Sequence, residues 1–424
     1  MKNLFALGLL LFGFLFIVSC SDDDDVIGET KEELIDAAVA TAQEGVDAKA
    51  SIDATATGAS NISVFDGWTL AANKGQLGGT DNTPAAPSAA APTVEVTANI
   101  DTDTQWTKDN VYILKTRVTV LDGATLTIDA GTIIKGDASL TGANAAVLMI
   151  AKGGKLMAVG TAAEPIIMTS TDDDIQPGDL VGTTLDQDKK AKWGGLVVLG
   201  KAPVSAKTEN PQIEGVDASD TNGLYGGDAA DDNSGMIKYV SIRHGGAEIT
   251  EGSEINGLTL GGVGSSTVID YIEVYGNSDD GVEFFGGTVD VSNLLVYAVG
   301  DDAIDIDQSY AGTVTNFLVY VDTNSDEGLE IDGREGSLDD SFALVNGTIK
   351  SIDDKTTDAD FKAKAKGSVT NVVFEDGRVK LSASFDVESF EESEDAAWNT
   401  AQGTLTFSKI SASSFSVYTK SFDE

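Results

Sequence analysis

One phrase, written three times between Asn277 and Gly333, most constrains what this chain can become: DDGVEF, DDAIDI and DEGLEI. Their first apolar residues, Val282, Ile304 and Leu329, lie 22 and 25 residues apart, and Leu258 in NGLTLGG extends the series 24 residues upstream. A period of this size marks stacked supersecondary units, none of which can bury its apolar face alone. Within each unit the apolar residues flank an acidic one: Glu283, Asp305 and Glu330 each sit between two of them. That alternation is the signature of a strand with one buried face.

A second apolar series ends at Ile242, Val274, Val296, Val319, Ile349 and Phe374, spaced 32, 22, 23, 30 and 25 residues apart. Constant strands with variable spacing describe one solenoid carrying loops of different length. Asn293, Asn316, Asn346 and Asn371 recur at one point of this phrase, which predicts an asparagine ladder closing a turn. With strands stacked about 4.8 Å apart, the acidic residues form outward columns. One holds Glu283, Asp305 and Glu330; a second holds Asp280, Asp302 and Glu327; a third holds Asp279, Asp301 and Asp326.

The 46 glycines against 7 prolines suit many tight turns between short strands. Charge is lopsided, with 27 basic and 69 acidic residues giving −42. Such a surface repels nucleic acid and anionic membrane and suits cations.

The first 20 residues, MKNLFALGLLLFGFLFIVSC, have a basic start, an apolar run and a small residue before Cys20, the single cysteine of the chain. This is a secretory signal over residues 1–19, and a cysteine at its end resembles a bacterial lipobox. Cleavage before Cys20 and lipidation of Cys20 are expected, holding the protein on outer-membrane lipid. SDDDD follows, an acidic tether resembling the signal that sends Bacteroidota lipoproteins to the cell surface. KEELIDAAVATAQEGVDAKA predicts a short helix, and the Gly-, Pro-, Ala- and Ser-rich stretch 75–93 reads as a spacer. The expected organisation is thus tether, helix and linker over 20–93, the β-helix over 94–350, and last coils with a cap over 351–424. Residues 351–367 read as a charged interruption.

KWGGLVVLGKAP, GLYGG with DNSG, IKYVSIRHGG, EINGLTLGGVG, DDGVEFFGGTV and GDDAIDID, in this order over about residues 94–350, resemble a family of secreted and lipid-anchored proteins of Bacteroidota and some Proteobacteria. The resemblance implies an all-β chain, a right-handed parallel β-helix of pectate-lyase-like architecture on the cell surface. It implies no defined activity.

The chemistry available is narrow. With His244 the only histidine and Cys20 expected to be lipidated, Cys/His zinc sites, Ser-His-Asp triads and Cys-His pairs are excluded. His244 and Trp193 are expected to be structural. Between Gly276 and Asp340 there are 16 acidic residues and one basic residue, Arg334. Two carboxylates about 5 Å apart repel by about 3 kcal/mol at an effective dielectric of 20. The columns therefore need solvent, protons or a cation, and calcium, with six to eight oxygen ligands in flexible geometry, suits them. The first ligand candidates are Asp302, Asp305, Asp307, Glu327 and Glu330, then Asp280 and Glu283, with Asp228, Asp231 and Asp232 of DAADDN a second cluster.

The expected function is a surface-anchored, non-catalytic, calcium-stabilised module binding a glycan, a surface protein or its own copies, with Phe285, Tyr297, Tyr310 and Tyr320 as candidate stacking surfaces. The alternative is a polysaccharide-degrading enzyme, a lyase using Arg243 or Arg334, or a glycoside hydrolase using paired carboxylates. GDDAIDID has no NTD, GHG or RIK companion.

Overall fold

The computed structural model describes residues 31–249, 254–383 and 395–419. Cys20 and the acidic tether lie outside them. Two parallel sheets account for nearly all the regular structure, one of fourteen strands and one of ten, with every named strand pair parallel in the manner of a β-helix. The predicted rungs stack in register: Leu258 against Val282, Val282 against Ile304, and Glu283, Asp305 and Glu330 side by side in the second sheet. In the first sheet Ile242, Val274, Val296, Val319, Ile349 and Phe374 pair in succession, as their recurrence requires. Inward residues of both sheets merge in one continuous core running from Ile100 and Trp106 to Leu405 and Ile410.

Each long strand of the first sheet bends once, at a residue in the left-handed region. Asn293, Asn316, Asn346 and Asn371 hold φ between 53° and 58° there. Asn is among the few side chains that accept this conformation readily, because its amide can bond locally. Asn316 donates to Asn293 Oδ1 at 2.7 Å and Asn371 to Asn346 Oδ1 at 2.8 Å, so the ladder exists. The register adds Tyr239, Tyr271 and Lys409 to the same column, with φ of 52°, 58° and 56°.

The 351–367 stretch is no interruption, because Ala359–Phe361 is a strand of the second sheet, paired between Leu329–Ile331 and Arg378–Ser382. Apart from Asp360, which sits in the strand itself, its charged residues lie on either side of that rung.

The larger correction concerns residues 31–92. Helix α1 (Lys31–Asp47) covers the far end of the solenoid, packing on helix α2 (Ala396–Gln402) and on the last strand. Ala42 and Val46 enter the common core, and Gln43 Oε1 accepts from Val417 N at 2.9 Å along an otherwise open strand edge. The chain then returns along the outside of the first sheet as a strap. Thr57 N donates to Asn371 Oδ1 at 2.8 Å, Ala59 N to Thr348 Oγ1 at 2.8 Å and Asn61 N to Asn316 Oδ1 at 3.1 Å. Phe65 and Trp68 then seat on Tyr275, Leu295, Tyr297 and Leu318. Buried Glu273 receives Leu70 N and Ala71 N at 2.7 and 2.9 Å. Farther on, Ser88 N bonds Asp179 and Ala91 N bonds Gln176, before Thr93 enters the first coil. The stretch read as a spacer is therefore docked against the body.

Replacing Asn316 with Ala removes one ladder bond and three bonds to Ser60 and Asn61 of the strap together and places Ala at φ 56°. The expected loss is about 2–3 kcal/mol in urea unfolding, with the midpoint lowered.

Candidate functional site

The acidic columns are in the predicted register, but the first two are largely withdrawn from water, while Asp301 and Asp326 of the third are exposed. Chain inserted on either side of strand Gly235–Arg243, which itself belongs to the first sheet, lies over the outer face of the second sheet. Ile213, Val216, Tyr225 and Ile255 pack there on Val147, Met149, Val197, Leu199 and Phe285. Under the edge of this roof Glu283 and Asp280 are 6% and 7% exposed, and Asp302 is 2% exposed. Asn256, wholly buried, donates its Nδ2 to Glu283 and, at 3.3 Å, to Glu214 of the insertion.

The columns divide by role. Asp280 Oδ1 accepts Asp302 N at 2.9 Å, and Asp302 Oδ1 accepts Glu327 N at 2.7 Å. This second column pins one coil to the next, leaving Asp302 a structural carboxylate with one oxygen committed. Downstream the charges are paired. Lys362 meets Glu330, Lys380 meets Glu327 and approaches Asp360 at 3.7 Å, and Arg378 holds Asp358 at 2.5 Å. Glu327 and Glu330, two first-choice ligands, thus already carry cationic partners. Those lysines belong to the coils that the sequence presented as a charged interruption and tail.

Upstream the carboxylates stand without such relief. Among the described residues, two groups bring three acidic oxygens within 4.8 Å of one another: Asp280, Glu283 and Asp305, and Asp279, Asp280 and Asp301. Asp280 belongs to both. Asp307 falls in neither group, nor do Asp228, Asp231 and Asp232, of which the first two are exposed. In DAADDN, Asp232 instead accepts Lys201 N at 2.9 Å, and the cluster is a loop. Asp279 and Asp301 were missed as ligand candidates, and Glu214, which shares Asn256 with Glu283, was not foreseen beside the column. The first two sat in a recognised column, while Glu214 arrives from a loop whose path the sequence does not reveal.

Burial first, and the neighbouring carboxylates second, push Asp280, Glu283 and Asp305 well above the ordinary carboxylate range. The same causes lift Asp279 to about 7 and Asp301 to about 6. Among the described residues, buried Asp305 Oδ1 has no hydrogen-bond partner. Such a group takes up protons or a hard cation. Three carboxylates converging within 4.8 Å supply enough charged oxygen for calcium to begin its shell, and Asp305 Oδ1 is unclaimed by the described residues.

Residues 98–422 match the family described as pectate-lyase-like β-helix domains. The chain belongs to that family. No curated protein and no solved structure matches it.

Other side chains of this β-helix domain have structural work. Arg243, one candidate base for a lyase, is fully buried on the first sheet, donating to Ser241 Oγ at 2.7 Å and to Leu180 O at 3.0 Å. Arg334 lies within its own loop, donating to Gly336 O at 3.2 Å. His244 is 1% exposed with Nδ1 2.9 Å from Lys189 O, and burial pushes it down to about 3, so it stays neutral. Trp193 is core, its Nε1 donating to Arg243 O. Of the proposed stacking residues, Phe285, Tyr297 and Tyr310 are buried, and Tyr320 is half-buried against Tyr297. They pack the protein and offer no open platform.

Proposed function

We propose that this chain is a non-catalytic, cell-surface β-helix module, lipid-anchored through Cys20 to the outer membrane, whose carboxylate column is closed by calcium. The observation that carries the calcium reading is the convergence of Asp280, Glu283 and Asp305 with no ion-pair partner among the described residues. One face of the column is roofed by the insertion, which favours an ion over a polymer as its occupant. A glycan, a surface protein or further copies of the chain then meet the rod at its solvent-facing surfaces. The polysaccharide-degrading alternative draws on the raised carboxylates, which suit a general acid. Against it stand the roof and the buried position of Arg243.

Calorimetric titration of chelator-stripped protein with calcium tests this reading. Saturable binding is expected, lost in the Asp280→Asn, Asp305→Asn double variant and retained in Asp228→Asn, Asp231→Asn. Incubation with acidic and neutral polysaccharides is expected to release neither unsaturated products nor new reducing ends. Release abolished by the double variant would establish the enzyme instead.

A further inference from the structure

The fold determines at which end the chain leaves the rod. Helix α1 is the first described element, yet it lies across the last coil. Val46 and Ala50 share a core with Trp398 and Ile410, and Ile52 bridges Ile410. Gly45 approaches α2 so closely that a Cβ there would stand 2.7 Å from Ala401 Cβ. Only after the strap has run the length of the body does the chain enter its first coil, Thr93–Trp106.

We propose that the rod stands on its C-terminal end, with the last coil, α1 and α2 facing the surface that holds the chain and the first coil presented outward. This rests on the reading of Cys20 as a lipid anchor. Distances decide between the two ends. The ten strands of the second sheet place its first and last strands about 43 Å apart at the usual strand spacing. The ten residues Ser21–Thr30 between Cys20 and α1 span at most about 35 Å fully extended. A tether leaving from the last coil is therefore too short to run back along the rod and bring the first coil to the bilayer. A net charge of −42 opposes laying a long side against anionic lipid. What the rod offers outward is its opening edge, where Val94 is 39% exposed beside exposed Glu95.

Energy transfer tests the orientation on the full chain. A donor dye is placed through an azide-bearing residue at position 94, in the first coil, or at position 402, at the exposed end of α2. Host-processed protein is inserted into phosphatidylcholine vesicles carrying an acceptor-dye lipid. Transfer is expected to be several-fold more efficient from position 402 than from position 94. Equal transfer from both, or stronger transfer from 94, overturns the proposal. Should the processed chain fail to float with vesicles, the anchor reading falls. The orientation is then read on protein whose Cys20 thiol is coupled chemically to a maleimide lipid, with the same two outcomes deciding it.

Discussion

In metal-free buffer the protein is expected to lose thermal stability as the pH rises from about 5 to 7.5, the reverse of a protein whose carboxylates are all well paired. The sign follows from the raised acids. Burial lifts Asp302 and Asp307 to about 6 and Glu327 to about 7, and holds Asp280, Glu283 and Asp305 well above their ordinary range. In the unfolded chain these groups release their protons near pH 4. Below that pH both states are protonated and the groups contribute no difference. Between about 4 and 7 the folded state binds more protons than the unfolded one, so stability falls as pH rises. Asp302, only 2% exposed and displaced from 3.8 to about 6, accounts for about 3 kcal/mol at pH 7.5. At the acid end Asp137, held at about 2 chiefly by Lys115, acts oppositely and loses its contribution as pH falls from about 4 toward 2. The metal-free melting curve should therefore peak near pH 4 and drop by several degrees by pH 7.5. Millimolar calcium should flatten the neutral side, since a bound cation stabilises the ionised form. A neutral limb already flat in chelator would show that the carboxylates ionise without cost.

Removal of residues 1–92 is expected to be the most damaging change outside the core. The truncation strips α1 from the last coil and uncovers Tyr275, Leu295, Tyr297 and Leu318. It also takes away the backbone donors Leu70 N and Ala71 N that Glu273 accepts under the strap. With the lost apolar burial, a fall of on the order of 10 °C or more in melting temperature is expected, or loss of a cooperative transition. A synthetic 31–92 segment added in trans should restore part of it. Unchanged melting of the truncated chain would make the strap and α1 ornamental.

The stacking itself was legible because period-two strands leave a trace at every rung. Val282, Ile304 and Leu329 can be aligned by eye, and their partners in the first sheet follow. The asparagine ladder was legible for a similar reason, although its tyrosine members were not. Tyr239 and Tyr271 occupy the same left-handed bend, stacked with ring centroids 4.2 Å apart, and nothing in their type announces φ above zero. The strap escaped notice because its hold on the body uses backbone N–H groups bonded to side chains more than 200 residues away. Its composition is that of a linker, so local propensity had no signal to give. The site was half legible. The acidic register was present in the repeat, but two facts that choose among its members were not. One is the roof, whose anchoring residues Ile213, Val216 and Tyr225 are sparse in a polar loop. The other is the pairing of Glu327 and Glu330 with lysines from later coils. Together they move the candidate centre upstream, from Asp302–Glu330 to Asp280, Glu283 and Asp305.

The most direct measurement is the melting temperature of chelator-stripped protein at pH 7.5, with and without millimolar calcium, beside the Asp280→Asn, Asp305→Asn variant. The account predicts a calcium-dependent rise in the native chain, no rise in the variant, and a variant that melts above the metal-free native protein because two buried charges are gone. A native protein indifferent to calcium, with a variant no more stable than it, would contradict the claim that the carboxylate column is built to hold a cation.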